Sequence, residues 1–368
     1  MKRFLLVFCF FQAVTINAQS WLPQSSGTTA ALFEVEFIGA DTGYAAGESG
    51  TMLHTTDGGA TWTIQYTGAW YIQAMQFFNG MKGYFAGNGG EFGVTQDGGI
   101  SWTTFLTATT NDLRDMHFID ENLGYMAGHN GTIIKTTNGG TSWSTLSTGT
   151  SEHLYGIHFF NATDGIAAGN GGTIIRTTNG GSTWSPVSSG TTVNITFLSF
   201  YSATSGSAGL VNGSVLVTND GGLNWSEEVT GSAEPSFEGS YTPNGKLYIA
   251  GGNYSSSDGI IQRSGDGGST WSTDFTQNVH RFLSVQMATN HIGYAVGNNG
   301  IIYKTSNAQQ GILTSEEIPA LKVYPNPANN GCFTVSSATA GNQEVTIRIF
   351  DTTGKCVFSI KYTARRVK

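Results

Sequence analysis

One phrase of eight residues governs what this chain can become. It occurs as TTDGGATW at 55–62, TQDGGISW at 95–102, TTNGGTSW at 136–143, TTNGGSTW at 177–184, TNDGGLNW at 218–225 and SGDGGSTW at 264–271. Its tryptophans, Trp62, Trp102, Trp143, Trp184, Trp225 and Trp271, are 40 or 41 residues apart, with one step of 46. A fixed period of this length marks a small unit that cannot bury its apolar face alone and must stack on copies of itself. A second phrase precedes each box: GYAAGESG at 43–50, GYFAGNGG at 83–90, GYMAGHNG at 124–131, GIAAGNGG at 165–172 and GYAVGNNG at 293–300, with looser copies at 206–213 and 245–253. Short apolar alternations such as Val35-Glu36-Phe37 and Met116-His117-Phe118 come before these. Together the pieces give four short strands per period and seven periods, which predicts an all-β, seven-bladed propeller of four-stranded blades. Apolar spacing of three and four is absent, and 51 glycines oppose helix.

The seventh period lacks its tryptophan: Thr305-Ser306-Asn307 opens the box, but Ile312 stands where Trp is expected. Trp21 lies 41 residues before Trp62, and residues 21–27 read like the segment after every other box. The N-terminal strand is therefore expected to complete the last blade and close the ring, removing its open edges. Asp57, Asp97, Asp220 and Asp266, with Asn138 and Asn179, head the box turns. Their side-chain oxygens are expected to accept backbone N–H groups two residues on, the glycines to supply positive φ, and the tryptophans to bury their rings. Asn in place of Asp suits turn capping, and each loop has too few carboxylates for Ca²⁺.

Outside the ring the chain reads differently. Lys2 and Arg3 precede an apolar run from Phe4 to Val14, and Ile16-Asn17-Ala18 offers a cleavage site, so residues 1–18 are expected to be a signal peptide. No later stretch is long and apolar enough to be a transmembrane segment. Cys332 and Cys356 remain after cleavage. Export would permit a bond between them, and two small apolar strand residues is the equal alternative. A formal net charge of -8 and 17 Lys plus Arg exclude a nucleic-acid surface.

The boxes resemble the Asp-box, or bacterial neuraminidase repeat, and with the GYAAG phrase the propeller resembles the photosystem II assembly and stability factor family over residues 19–313. Sialidases and family 74 glycoside hydrolases share the box, so the motif specifies fold better than function. Residues 314–320 read as a linker. From 321 to 368, Val323-Tyr324-Pro325-Asn326-Pro327-Ala328, the strand-like 332–336, Val345 to Asp351 and Gly354-Lys355-Cys356-Val357 resemble the type A sorting domain of the type IX secretion system of Bacteroidetes. That resemblance implies a small β-sandwich-like domain, engagement of the secretion machinery, and release or attachment at the outer-membrane surface. The domain is expected to be incomplete, because the chain stops at Lys368 before the usual closing strands.

Propellers bind ligands around the central channel, at the face formed by the loops entering each innermost strand and by the GNGG-type turns. The candidates there are Trp70, Tyr71, Asp112, Arg114, Asp115, His153, Tyr155, His280 and Arg281. Aromatics with mixed charges suit sugars or peptides. A sialidase needs three arginines on a substrate carboxylate. The propeller holds Arg114, Arg176, Arg263 and Arg281, and two of these lie on third strands. A glycosidase needs two facing carboxylates, and Asp112, Asp115, Glu34, Glu152, Glu234 and Glu238 supply acids without a pattern that selects a pair. His117 and His158 occupy the position held by Glu36, Gln76, Ser199 and Gln286 in other blades, and as a metal site they lack a third ligand. The favoured reading is a secreted or cell-surface monomer that binds an extracellular glycan or protein without cofactor, metal or catalysis. A glycoside hydrolase and an assembly factor for an envelope complex are the alternatives.

Overall fold

The structure, a computed structural model, describes residues 19–66, 71–255, 258–307, 321–329, 332–337, 344–350 and 356–363, with side chains described for 21–65, 71–255 and 258–305. The expected signal peptide and the expected linker at 314–320 lie outside the described residues. The chain divides into two compact units, Met1–Asn307 and Ala308–Lys368. In the second, Leu321–Asn329 pairs antiparallel with Cys332–Ser337, and Glu344–Phe350 with Cys356–Thr363. The side chains of Cys332 and Cys356 lie outside the described residues.

The first unit is a ring of seven four-stranded antiparallel sheets. Strands are lettered A to D in each blade, from the channel outward. The A strands are Leu32–Ile38, Ile72–Phe77, Leu113–Phe118, Leu154–Phe159, Ile195–Phe200, Ser236–Tyr241 and Phe282–Met287. Each packs against the A strand of the next blade, the seventh against the first. The last blade is completed from the other end of the chain: Gln19–Gln24 pairs with Ile302–Asn307 in a register running from Gln19↔Asn307 to Gln24↔Ile302. Trp21 is buried there, and its indole N–H donates to Asp274 Oδ2 of blade 6 at 2.9 Å. The expected closure is thus present and is tied to the neighbouring blade.

The repeated phrases meet at the joints between blades. The Tyr of one blade's second strand stacks on the Phe at or next to the end of the next blade's first strand: Tyr294 on Phe37 at 3.5 Å, Tyr44 on Phe77 at 3.7 Å, Tyr84 on Phe118 at 4.2 Å and Tyr125 on Phe159 at 3.6 Å between centroids. Each Phe meets its own box tryptophan edge-on, as with Phe37 and Trp62 at 86° or Phe159 and Trp184 at 89°. The buried phenols reach the box turn of the next blade, Tyr294 donating to Gly58 O at 2.9 Å and Tyr44 to Gly98 O at 3.2 Å. The glycine before each Tyr is required by this packing: a Cβ on Gly43 would run into the ring of Phe37.

The box turns use their Asp or Asn differently from the expectation. Asp57 Oδ1 accepts the N–H of Thr61, four residues on, at 2.9 Å, and Oδ2 accepts the Thr61 hydroxyl at 2.7 Å. The backbone curls through Gly58 (φ 66°) and Gly59 (φ 81°), which brings the fourth amide, rather than the second, over the carboxylate. Thr55 Oγ1 takes the N–H of Gly59 at 2.9 Å. Asn138 repeats this with Oδ1 on the Ser142 N–H at 3.0 Å, while its Nδ2 donates to Ser142 Oγ at 2.9 Å, so the amide serves as well as the acid. Asn138→Asp is therefore expected to hold stability within about 0.5 kcal/mol, and Asn138→Ala to lose about 1 kcal/mol, measured by urea denaturation.

Candidate functional site

The two faces of the ring are distinguished by which turns are pinned together. On one face the box turns bond to the A–B turns, as Gly58 N–H does to Asp41 O at 2.8 Å and Gly180 N–H to Thr163 O at 2.8 Å. On the other, the B–C turns bond to the loops entering the A strands, as Glu48 N–H does to Ala31 O at 2.8 Å and His129 N–H to Asp112 O at 2.9 Å. The second face carries the channel mouth and the candidate residues.

An A strand bordering a channel leaves one row of backbone N–H groups without a strand partner, and these must be satisfied. Side chains from the preceding blade do this. Glu36 accepts from Phe77 N–H at 3.0 and 2.9 Å, Gln76 from Phe118 N–H at 2.7 Å, Ser240 from Met287 N–H at 3.0 Å, and Gln286 from Phe37 N–H. His117 and His158 stand in this row edge to face, 4.5 Å between centroids. Burial lowers both imidazoles, His117 to about 4 and His158 to about 3, so they are neutral ring members.

A second tier in the bore is acidic. Asp115 Oδ1 accepts from Met116 N–H and Oδ2 from Ile157 N–H, both at 2.7 Å. Glu238 accepts from Gly239 N–H at 3.0 Å, and Glu34 faces Ser284 Oγ at 3.5 Å. These groups are half-buried, with protein on every side of them. Burial pushes Asp115 up to about 7, and burial together with the Asp115 charge pushes Glu238 up to about 8. Glu34 is raised well above the usual carboxylate range by burial and by Glu238, Glu36 and Asp115. Asp115, expected at the mouth, thus belongs to the bore. Every A strand has a register shift between its first and third residues, and this bulge turns the third side chain inward.

The mouth itself is mixed. Trp70 lies outside the described residues. Tyr71 stacks on Phe33 at 6.0 Å and donates to Glu48 Oε1 at 3.4 Å. Asp112 Oδ1 accepts Gly89 N–H at 2.9 Å and His153 Nδ1 accepts Asn130 N–H at 2.9 Å, so both lock an entering loop to the previous blade's B–C turn. His280 Nε2 sits 3.3 Å from Asn299 Nδ2. Arg114 donates through Nη1 to Gln73 Oε1 and through Nε to His129 Nε2, each at 2.9 Å, with its guanidinium 5.9 Å over Tyr155. Arg281 lies over Tyr254 at 4.6 Å and Phe237 at 5.8 Å.

The structure therefore brings Arg114 and Tyr155 together, and gives Asp112, His153 and His280 positions beside turns they hold in place. Sequence reasoning missed Phe33, Gln73, His129, Phe237 and Tyr254. The first two, with Phe237, share the second position of their A strands with Arg114 and Tyr155, a register the repeat could have shown. Arg176 donates to Gly221 O and Arg263 faces Asp274 at 3.8 Å, so neither adds to an arginine cluster at the mouth. Two surface concavities, of about 560 and 470 Å³, lie among the entering loops, lined by 187–192 with Gly172 and by parts of 108–151. Among the described residues no group of three His, Cys, Asp or Glu could hold a metal ion, and no helix is long and apolar enough to cross a membrane.

A ring of seven four-stranded blades defines a β-propeller, and solved structures agree on the fold. The chain is similar to YCF48 bound to D1 peptide, at TM-score 0.63 and 20% identity over 78% of this chain and 94% of that one. It is similar to YCF48 from Cyanidioschyzon merolae, at 0.64 and 19% over 78% and 98%, and to the WD40 β-propeller domain of Doa1, at 0.66 and 12% over 80% and 100%. Residues 13–109 and 100–240 match the family described as photosynthesis system II assembly factor YCF48, and the chain belongs to that family. Residues 322–368 match the secretion system C-terminal sorting domain, which marks the protein for export by the type IX machinery to the cell surface or beyond. No curated protein matches the chain significantly.

Proposed function

We propose that the protein is an exported, non-catalytic binding module that holds an extended segment of a partner protein across the channel mouth. One observation carries this reading. The mouth presents aromatic faces and two arginines: Phe33, Tyr155, Phe237 and Arg114 lie on A strands, and Tyr71, Tyr254 and Arg281 on the loops beside them, above a row of backbone amides latched blade to blade. Rigid aromatics with a few polar anchors bind peptides at low entropic cost. The family relative bound to D1 peptide supports a peptide over a glycan, as an analogy of fold. The sorting domain, together with the reading of residues 1–18 as a leader, supports a secreted or outer-membrane-surface location, and ring closure within one chain supports a monomer.

A glycoside hydrolase would need free carboxylates on either side of a cleft. Asp115 spends both oxygens on backbone amides, which favours a role in holding the bore. The test is binding of the purified mature chain to peptide and glycan arrays. Peptide capture at micromolar concentration supports the reading. Capture of glycans alone, or of nothing, would sink it.

A further inference from the structure

Arg281 stands apart from the other arginines of the propeller in what it lacks. Arg114 has Gln73 and His129, Arg176 has Gly221 O, and Arg263 has Asp274. Among the described residues no carboxylate lies within ion-pair distance of Arg281, and its Nε is buried without a hydrogen-bond partner. Its backbone is fixed nonetheless. Its carbonyl accepts Asn298 N–H at 3.2 Å, and Gly252 packs so closely that a Cβ there would meet Arg281 Cβ at 2.6 Å.

Blade 6 supplies the walls. Its B–C connection, between Leu247–Gly252 and Gly259–Ser264, is six residues long, where blade 1 uses four between Thr42–Gly47 and Met52–Thr55. The longer loop raises Tyr254, which is 59% exposed, edge-on to Phe237 at 5.3 Å and 89°. Burial raises the Tyr254 phenol, Arg281 lowers it, and Tyr155 raises it, so the ring stands within electrostatic reach of both residues. Aromatic faces stabilise a guanidinium through its plane and leave the edge donors unspent. A half-buried cation with a fixed backbone, stacked walls and idle donors is arranged for an anion that arrives with the ligand.

We propose that Arg281, walled by Tyr254 and Phe237, receives a carboxylate of the bound segment. A carboxylate matches the guanidinium edge with two parallel hydrogen bonds and one compensating charge. A phosphate dianion would carry a second charge, unmatched here, above the bore acids Glu34, Asp115 and Glu238. This inference rests on the peptide-binding reading. The carboxylate can be an Asp or Glu side chain or a chain terminus.

The probe is a set of immobilised decapeptides, each made with Asp or Asn, Glu or Gln, and with a free or amidated C-terminus, read with the full mature chain. The wild type is expected to favour the acidic member of a bound pair by about tenfold or more, a size typical of a charge-assisted bidentate contact. Which pair shows it, side chain or terminus, identifies the source. R281Q is expected to erase the preference and R281K to keep only a minor part of it. Melting of R281Q should not fall below wild type, because a charge without a counter-ion is removed. Peptides that bind without acid preference, a preference surviving in R281Q, or a clear drop in R281Q melting would each overturn the clamp while leaving the binding reading intact. Failure of every peptide to bind would overturn both.

Discussion

A mature chain lacking Gln19–Gln24 is expected to lose most of its resistance to urea, with a broadened transition in place of one cooperative step. The strand contributes the whole outer edge of the last blade, six paired positions. Trp21 is 2% exposed, so Trp21→Ala alone is expected to cost about 3–5 kcal/mol, the usual range for emptying a buried Trp site. Part of that figure is the stranded partner Asp274, which loses the indole N–H in a site where burial already raises its pKa. A synthetic peptide of residues 19–27 added at high micromolar concentration should restore the sharp transition of the deleted chain. An unchanged urea midpoint after the deletion would refute ring closure as the source of stability.

Stability is expected to be greatest near pH 5 and to decline toward pH 8. Glu36 and Glu238 are raised to about 8 and Asp115 to about 7, chiefly by burial, with Glu34 raised as well. Between about pH 4.5 and 8 the folded chain therefore holds protons that the unfolded chain has released, and stability must fall as pH rises. His117 and His158 act in the opposite sense. Lowered to about 4 and about 3, they refuse protons that the unfolded chain takes up below about pH 6.5, so their contribution is lost on acidification. With more acids than imidazoles in the bore, the carboxylates dominate from pH 8 down to about 4.5, and the histidines below it. After allowance for solvent screening, the decline from pH 5 to pH 8 is expected to be about 2 kcal/mol or more, read as urea midpoints. Glu238→Gln supplies a neutral group permanently and should flatten the profile, gaining about 1 kcal/mol at pH 8 and nothing at pH 5. A wild-type profile that rises from pH 5 to pH 8 would contradict the assignment of these groups.

The ring was readable because its determinants recur. Six tryptophans at constant spacing set the blade, and the gap at Ile312 together with Trp21 disclosed the closure, since a missing term in a periodic series points to its replacement. The bore and the mouth were harder because they break the period. Glu34, Asp115 and Glu238 occupy equivalent positions held by Ala74, Gly156, Phe197 and Ser284 elsewhere, so no phrase marks them. Asp115 reads as part of the loop entering its A strand, but the strand begins at Leu113, and the bulge near its start defeats simple alternation. Asp112 and His153 read as ligand residues because charged loop residues usually do. Their use as locks depends on a B–C turn 23 residues earlier, a distance visible only in three dimensions. Tyr254 sits in a connection that matches no other blade, where the repeat offers no register.

The pairing of Gln19 with Asn307 has a mechanical consequence. Both ends of the ring leave from a single corner on the box-turn side, Gln19 from the outermost strand and Asn307 from the strand just inside it. Load entering at Asn307 falls on a strand flanked by partners on both sides. Tension applied between the two ends would instead peel that seam one residue pair at a time. A chain held only at Asn307 would keep that seam unloaded.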